Sequence, residues 1–270
     1  MGNGLTVHST INVVTHVTHN YKNEKSRSFN GFQNIVTKNL DDIPEKLKVV
    51  GKYTNIALII CNSYENTPHA LGECATNDAC LANSSLNMLG YQRVVVHDLC
   101  KSDIINLLDL FLSQNAEKIL VYYIGHGTIT YTSKSKYEKS GMDQAFVAMD
   151  GIITDNMLNT IVKRHAKPNK KIILISDCCH SGSIYDLTHE DYMQKNIFSI
   201  GACGDNETAK QDYICRRGNG IFSYYFWKYY NKNIKMSELI NKVNAKLIVY
   251  RQQCITNVNN TQLERMNDNI

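Results

Sequence analysis

A chain of 270 residues, 43% hydrophobic and 20% charged, is long enough for one large α/β domain around a buried sheet, or for one domain plus an extension. Its 29 basic and 25 acidic residues are interspersed and leave a net charge of +4, without the basic block that nucleic-acid binding would need. The longest apolar runs are strand-sized, so no transmembrane helix or secretory signal is expected, and the nine cysteines, an odd count, read as reduced thiols of a cytoplasmic protein rather than a disulfide framework.

Residues 1–51 differ in pattern from the rest of the chain. Met1 to Thr6 fits the myristoylation pattern with Gly2 and Thr6 in place, although a chance match is the plainer explanation. Leu5 to Val17, rich in Thr and Val, predicts a strand or hairpin, on which His8, His16 and His19 are better explained by alternation than by a metal. Asn20 to Asn30 is polar and basic, as a linker would be. From Ile56 the pattern is regular. Ile56 to Ile60 predicts a buried strand, and Asn77 to Leu89 a helix closed by Gly90; Arg93 to His97 predicts a strand, and Ser102 is placed to cap a helix carrying Ile104, Leu107, Leu108 and Phe111. Ile119 to Ile124 completes a second strand-helix-strand pass, the signature of a mainly parallel sheet with helices on both faces.

Thr130 to Met142 reads as a polar surface loop, Ala145 to Met149 as a short strand and Thr154 to Arg164 as a helix. Ile172 to Ile175 is another buried strand, Ile197 to Cys203 a sixth, and Phe222 to Tyr230 and Met236 to Tyr250 are helices before an Asn-rich end that is expected to fray from Asn257. No internal repeat is present.

Reactive residues follow two of the buried strands. Ile119 to Ile124 runs into Gly125-His126-Gly127, and Ile172 to Ile175 runs through Asp177-Cys178-Cys179-His180 to Ser181-Gly182. Open α/β folds build their sites at the carboxyl edge of the sheet, so His126 and a cysteine form a candidate base and nucleophile. A zinc site is disfavoured, because adjacent cysteines on one strand point to opposite faces. The histidine lies about 50 residues upstream of the cysteine, as in caspases. With YYIGHGT at Tyr122 to Thr128 and SDCCHSGS at Ser176 to Ser183, the chain resembles the metacaspases, caspase-fold cysteine peptidases of protists, fungi and plants, over residues 52–230.

The resemblance implies a caspase-like three-layer α/β sandwich with a mainly parallel sheet of six to eight strands, as a monomer. Residues 1–51 are then a pro-segment with Lys22, Lys25 or Arg27 as self-cleavage sites, and residues 52–270 a peptidase domain divided into large-subunit-like (52–190) and small-subunit-like (196–270) parts. The family motif Asp-x-Cys-His-Ser-Gly makes Cys179 the nucleophile and Cys178 its buried neighbour, with His126 protonating the leaving amine and the N–H groups of Gly127 and Cys179 as oxyanion hole. It further implies cleavage of protein substrates after Arg or Lys, through a pocket holding Asp78, of the Asn77-Asp78 pair, and Asp177, with Ile124 and Ala75 where relatives carry serine and cysteine; Asp205, Thr208 and Ser223 border the cleft. Calcium as an activator is implied at Asp143, Asp155, Asn156 and Asp186, with Asn156 where relatives carry a fourth aspartate. Two alternatives stay open: a non-proteolytic adaptor of the same fold, and an Asp-specific peptidase, for which Arg216-Arg217 would have to supply the cationic pocket.

Overall fold

Strands that carry apolar side chains on both faces must be covered on both faces, and five of them form the parallel part of the central sheet. They are β1 (Asn55–Cys61), β2 (Gln92–His97), β3 (Lys118–Ile124), β7 (Lys171–Asp177) and β8 (Ile197–Gly201). The computed structural model describes residues 40, 43, 55–131, 142–187, 190–192 and 195–257. The expected N-terminal strand, the linker with Lys22, Lys25 and Arg27, the histidines of that segment and Gly2 lie outside them. An antiparallel edge strand, β11 (Ile255–Asn257), completes the order β11-β8-β7-β3-β1-β2.

Side chains alternate across the sheet. On one face Ile56, Leu58, Ile60, Val121, Tyr123, Ile172 and Leu174 pack under α2 (Lys101–Ser113) and α3 (Asp155–His165). On the other, Ala57, Ile59, Leu120, Tyr122, Ile173 and Ile175 pack under α1 (Glu73–Met88), α4 (Ile221–Tyr229) and α5 (Met236–Leu247). A one-residue slip would exchange the two sets, and each fully buried side chain contributes about 1.5–3 kcal/mol, so the register is strongly specified. This is the expected three-layer α/β sandwich. Ile43, in the segment expected to precede the domain, is also fully buried in the first layer.

Several elements differ from the expectation. The central sheet has six strands, but the sixth is β11, a run not expected as a strand and ending where fraying was expected to begin, rather than Ala145 to Met149. That run belongs to a second, antiparallel sheet of β4 (Gly127–Tyr131), β5 (Met142–Ala148) and β6 (Gly151–Thr154), so both ends of the expected polar loop are strand. A hairpin of β9 (Gln211–Ile214) and β10 (Arg217–Gly220) turns through Cys215 and Arg216, both at positive φ (53° and 65°), the geometry of a two-residue primed turn. Helix α1 starts at Glu73, so Asn77 and Asp78 lie within it; Gly90 follows its end at φ 80°, as expected. Ser102 is not a cap: α2 starts at Lys101 after Cys100 in extended conformation, without a side-chain cap. Among the described residues no helix is long and apolar enough to cross a membrane.

Candidate active site

Parallel pairing of β3 with β7 sets Ile124 opposite Asp177, so the chain leaves both strands at the same edge of the sheet. The Gly125 N–H donates to the Asp177 carbonyl at 3.3 Å. Next to it a side chain on residue 127 would run into the Cys179 carbonyl oxygen and lie 3.0 Å from Cys178 Sγ, so glycine is what lets the histidine and cysteine segments meet backbone to backbone. The bond from Val147 N–H to the His126 carbonyl makes Gly127 and Phe146 a non-hydrogen-bonded pair, which keeps the Gly127 N–H out of that ladder.

His126 Nε2 lies 2.7 Å from the His69 carbonyl oxygen. A carbonyl only accepts, so Nε2 carries the proton and the lone pair of the neutral ring is on Nδ1. Cys179 is half-buried; burial pushes its thiol up, a main-chain hydrogen bond with Ala209 opposes this, and the nearby Asp177 charge adds to it. The resting sulfur is therefore a thiol that needs a base to become nucleophilic. Cys178 is only 1% exposed, within the layer of Tyr123 and Phe146, and burial raises its thiol further. His180 adopts φ 56° and turns its ring to the Asp205 carbonyl (2.6 Å), while Asp205 Oδ1 accepts from the Ser183 N–H at 2.7 Å. Asp205, expected to border the cleft, thus fastens the turn after Cys179, and Thr208 is exposed.

Two carboxylates meet beside Cys179. Asp177, at the end of β7, and Asp78, on α1, flank Gly220: a Cβ there would fall 2.6 Å from Asp177 Oδ2 and 2.7 Å from Asp78 Oδ2. The Gly220 N–H donates to Asp78 Oδ2 at 2.8 Å, and Asp78 Oδ1 is buried without a partner. Ser223 donates a short hydrogen bond to Asp177, and its hydroxyl also meets that of Tyr122. Burial pushes Asp177 up to about 6, with the Ser223 bonds pulling down; Asp78 is raised well above the carboxylate range by burial first and by Asp177 second. Glu73 and Asn77 hold β10 through the Gly218 N–H and carbonyl at 3.0 and 2.8 Å. Ala75 and Ile124, expected to line the pocket, are buried in the second apolar layer. Tyr64 and His69 are residues around His126 that the sequence did not single out, since their roles come only from tertiary contacts.

The expected calcium ligands form a separate cluster. Asp155 is raised to about 7, mainly by burial; hydrogen bonds from the Gln144 and Asn156 N–H groups oppose this, and the charges of Asp186 and Asp143 add to it. Asn156 donates to Asp143 Oδ2 at 3.1 Å, and Asp143 Oδ1 is buried without a partner. Mutually repelling carboxylates with an orphaned oxygen fit a hard cation. Among the described residues no group of three or more His, Cys, Asp or Glu is placed to hold a metal ion, so these carboxylates do not converge on one point.

Comparison with known proteins bears on the family and the fold. The family model for the caspase domain matches residues 54–267. The inactive metacaspase-4 of Trypanosoma brucei brucei is 30% identical over 127 residues, which are 37% of this chain and 35% of that protein. Metacaspase-2 of Arabidopsis thaliana is 23% identical over 192 residues, 57% of this chain and 46% of that one, so the chain matches less than half the length of these relatives. Among solved structures, caspase-1 from Spodoptera frugiperda superposes with a TM-score of 0.59 at 12% identity, covering 77% of this chain and 88% of that one. Protein GSU0716 from Geobacter sulfurreducens gives 0.55 at 17% identity, covering 76% and 92%. With the family model matched over most of its length and metacaspases as its curated relatives, the chain belongs to the caspase-domain peptidase family.

Proposed function

We propose that the protein is a cysteine endopeptidase that cleaves polypeptides after Arg or Lys with Cys179 as nucleophile and His126 as acid and base. The observation that carries this reading is the buried pair Asp78 and Asp177 beside Cys179, a two-carboxylate pocket whose unpartnered Asp78 oxygen awaits a donor. A guanidinium or ammonium offers donors and charge together, whereas an acidic side chain would be repelled. His126 Nδ1 takes the Cys179 proton as the sulfur adds to the peptide carbonyl, the N–H groups of Cys179 and Gly127 take the oxyanion, and His126 passes that proton to the departing amine as the C–N bond breaks. Water then hydrolyses the thioester.

Calcium is assigned to Asp143, Asp155 and Asp186, with Asn156 beside them, where its charge would offset the crowded carboxylates. The enzyme is expected to be a cytoplasmic monomer, made as a zymogen that cuts itself after Lys22, Lys25 or Arg27. The relative labelled inactive favours a second reading, a caspase-fold adaptor that cleaves nothing, although this chain keeps both Cys179 and His126. Reporter peptides ending in Arg, Lys or Asp, with and without about 1 mM calcium, decide between them when compared with Cys179→Ala and Cys178→Ala. Turnover of the basic peptides alone, lost in Cys179→Ala and kept in Cys178→Ala, is expected. No turnover with any peptide moves the assignment to the adaptor.

A further inference from the structure

The loop that follows β1 is built around Tyr64. This residue takes φ 56°, a conformation that a bulky side chain adopts only when its surroundings impose it. Asp98 imposes it: its carboxylate accepts from Ser63 Oγ at 3.2 Å, from the Tyr64 N–H at 2.7 Å and from the Glu65 N–H at 3.3 Å. The Tyr64 carbonyl accepts from Thr67 Oγ1 at 2.8 Å, and Thr67 Oγ1 in turn receives the His69 N–H at 3.2 Å. Tyr64 and His69 are thus parts of one hydrogen-bonded loop.

Both of them hold His126. The Tyr64 hydroxyl accepts from the His126 N–H at 2.8 Å and donates to the Val147 carbonyl at 2.7 Å, with the Tyr123 hydroxyl 3.2 Å away. Its ring lies 4.7 Å from the imidazole, tilted by 32°. The His69 carbonyl holds Nε2 at the far end of the same ring. Any side chain on residue 125 would come within 2.8 Å of the Tyr64 hydroxyl, so Gly125 keeps this approach open. Burial pushes the phenol up to about 12, so it stays protonated and keeps donating to Val147.

We propose that Tyr64 is the positioning residue of His126: its hydroxyl fixes the main chain of the histidine and its ring fixes the plane of the imidazole, so that Nδ1 faces the Cys179 side. This rests on the proposed pairing of Cys179 with His126. It predicts that Tyr64→Phe, which keeps the ring and removes one hydroxyl, acts through the histidine rather than through the fold.

The test reads Cys179 directly. Alkylation of Cys179 by iodoacetamide, located by mass spectrometry, is followed from pH 5.5 to 9 in the wild type, Tyr64→Phe, His126→Ala and the double variant, with melting temperatures alongside. In Tyr64→Phe the rate at neutral pH should fall by about 3- to 10-fold, roughly the loss of one neutral hydrogen bond. Its pH profile should move toward that of His126→Ala, and the same change made in His126→Ala should have no further effect. With an Arg reporter peptide, kcat should fall by about 10-fold while KM stays within about twofold. A profile and kcat like the wild type, or an added loss in the His126→Ala background, overturns the positioning role, and so does a fall in melting temperature that explains the loss. Identical profiles for wild type and His126→Ala would instead remove the dyad, and the role of Tyr64 with it.

Discussion

Asp177 connects the pH of the solution to the charge of the proposed specificity pocket. Burial holds its carboxyl near 6, and Asp78 behind it is raised further, by burial first and by Asp177 second. A cation bound between them favours the ionised forms, so its binding is strongest above the Asp177 pKa and weakens as pH falls through it. KM for an Arg peptide is therefore expected to rise by about tenfold per pH unit below about 6, with kcat changing less. In Asp177→Asn it should be high throughout and lose the break near 6, with only Asp78 left to titrate. Steady-state kinetics between pH 5 and 8 check this, and a flat wild-type KM would take Asp177 out of the pocket's charge balance.

At the scale of elements, the β9–β10 hairpin meets Asp78 and Asp177 through a glycine. Gly220→Ala would place a methyl 2.6 Å from Asp177 Oδ2, so the hairpin or the carboxylates must move. A loss of roughly 100-fold in kcat/KM on basic peptides is expected, with alkylation of Cys179 unchanged; wild-type kinetics would show that this contact yields freely. The β5–α3 cluster carries its own prediction. Asp155 is raised to about 7, chiefly by burial, so the folded state holds a proton there; the stability this gives is complete at low pH and is lost as pH rises through about 7. Calcium would displace that proton, so its gain in melting temperature should be larger at pH 8 than at pH 6. Asp155→Asn should raise the metal-free melting temperature at pH 8 and abolish the calcium gain, whereas an equal gain at both pH values would place the ion elsewhere. The strands of the parallel sheet were legible because apolar runs such as Ile119 to Ile124 permit little else. The hairpin was not: Gln211–Ile214 and Arg217–Gly220 do not alternate, and Cys215-Arg216 fills a turn where Asn-Gly would have been diagnostic. His126, Cys179, Asp78 and Asp177 stood in motifs, while Tyr64 and His69 gain their roles only from tertiary contacts.

Over the whole molecule, two apolar layers on one sheet hold the ends of β3 and β7 in register, so the position of the site depends on the integrity of both layers. The first layer includes a contribution from outside the regular part of the chain. Ile43 is fully buried in that layer, with Leu40 packed against the same cluster. Removing a buried isoleucine side chain costs about 2–5 kcal/mol, and in a chain of this size each kcal/mol lowers the melting temperature by about 2–4 °C. The proposed self-cleavage positions, Lys22, Lys25 and Arg27, all precede Ile43, so processing there leaves Ile43 in the chain. A chain beginning at residue 28 is therefore expected to melt like the full-length protein. One beginning at residue 52, and full-length Ile43→Ala, should both melt about 5–10 °C lower. Thermal melts of the four proteins, followed by near-ultraviolet circular dichroism, make the comparison. Equal melting temperatures for the chains beginning at 28 and 52 would mean that Ile43 adds nothing to the core; a loss already present in the chain beginning at 28 would move the stabilising contact upstream of the cleavage sites.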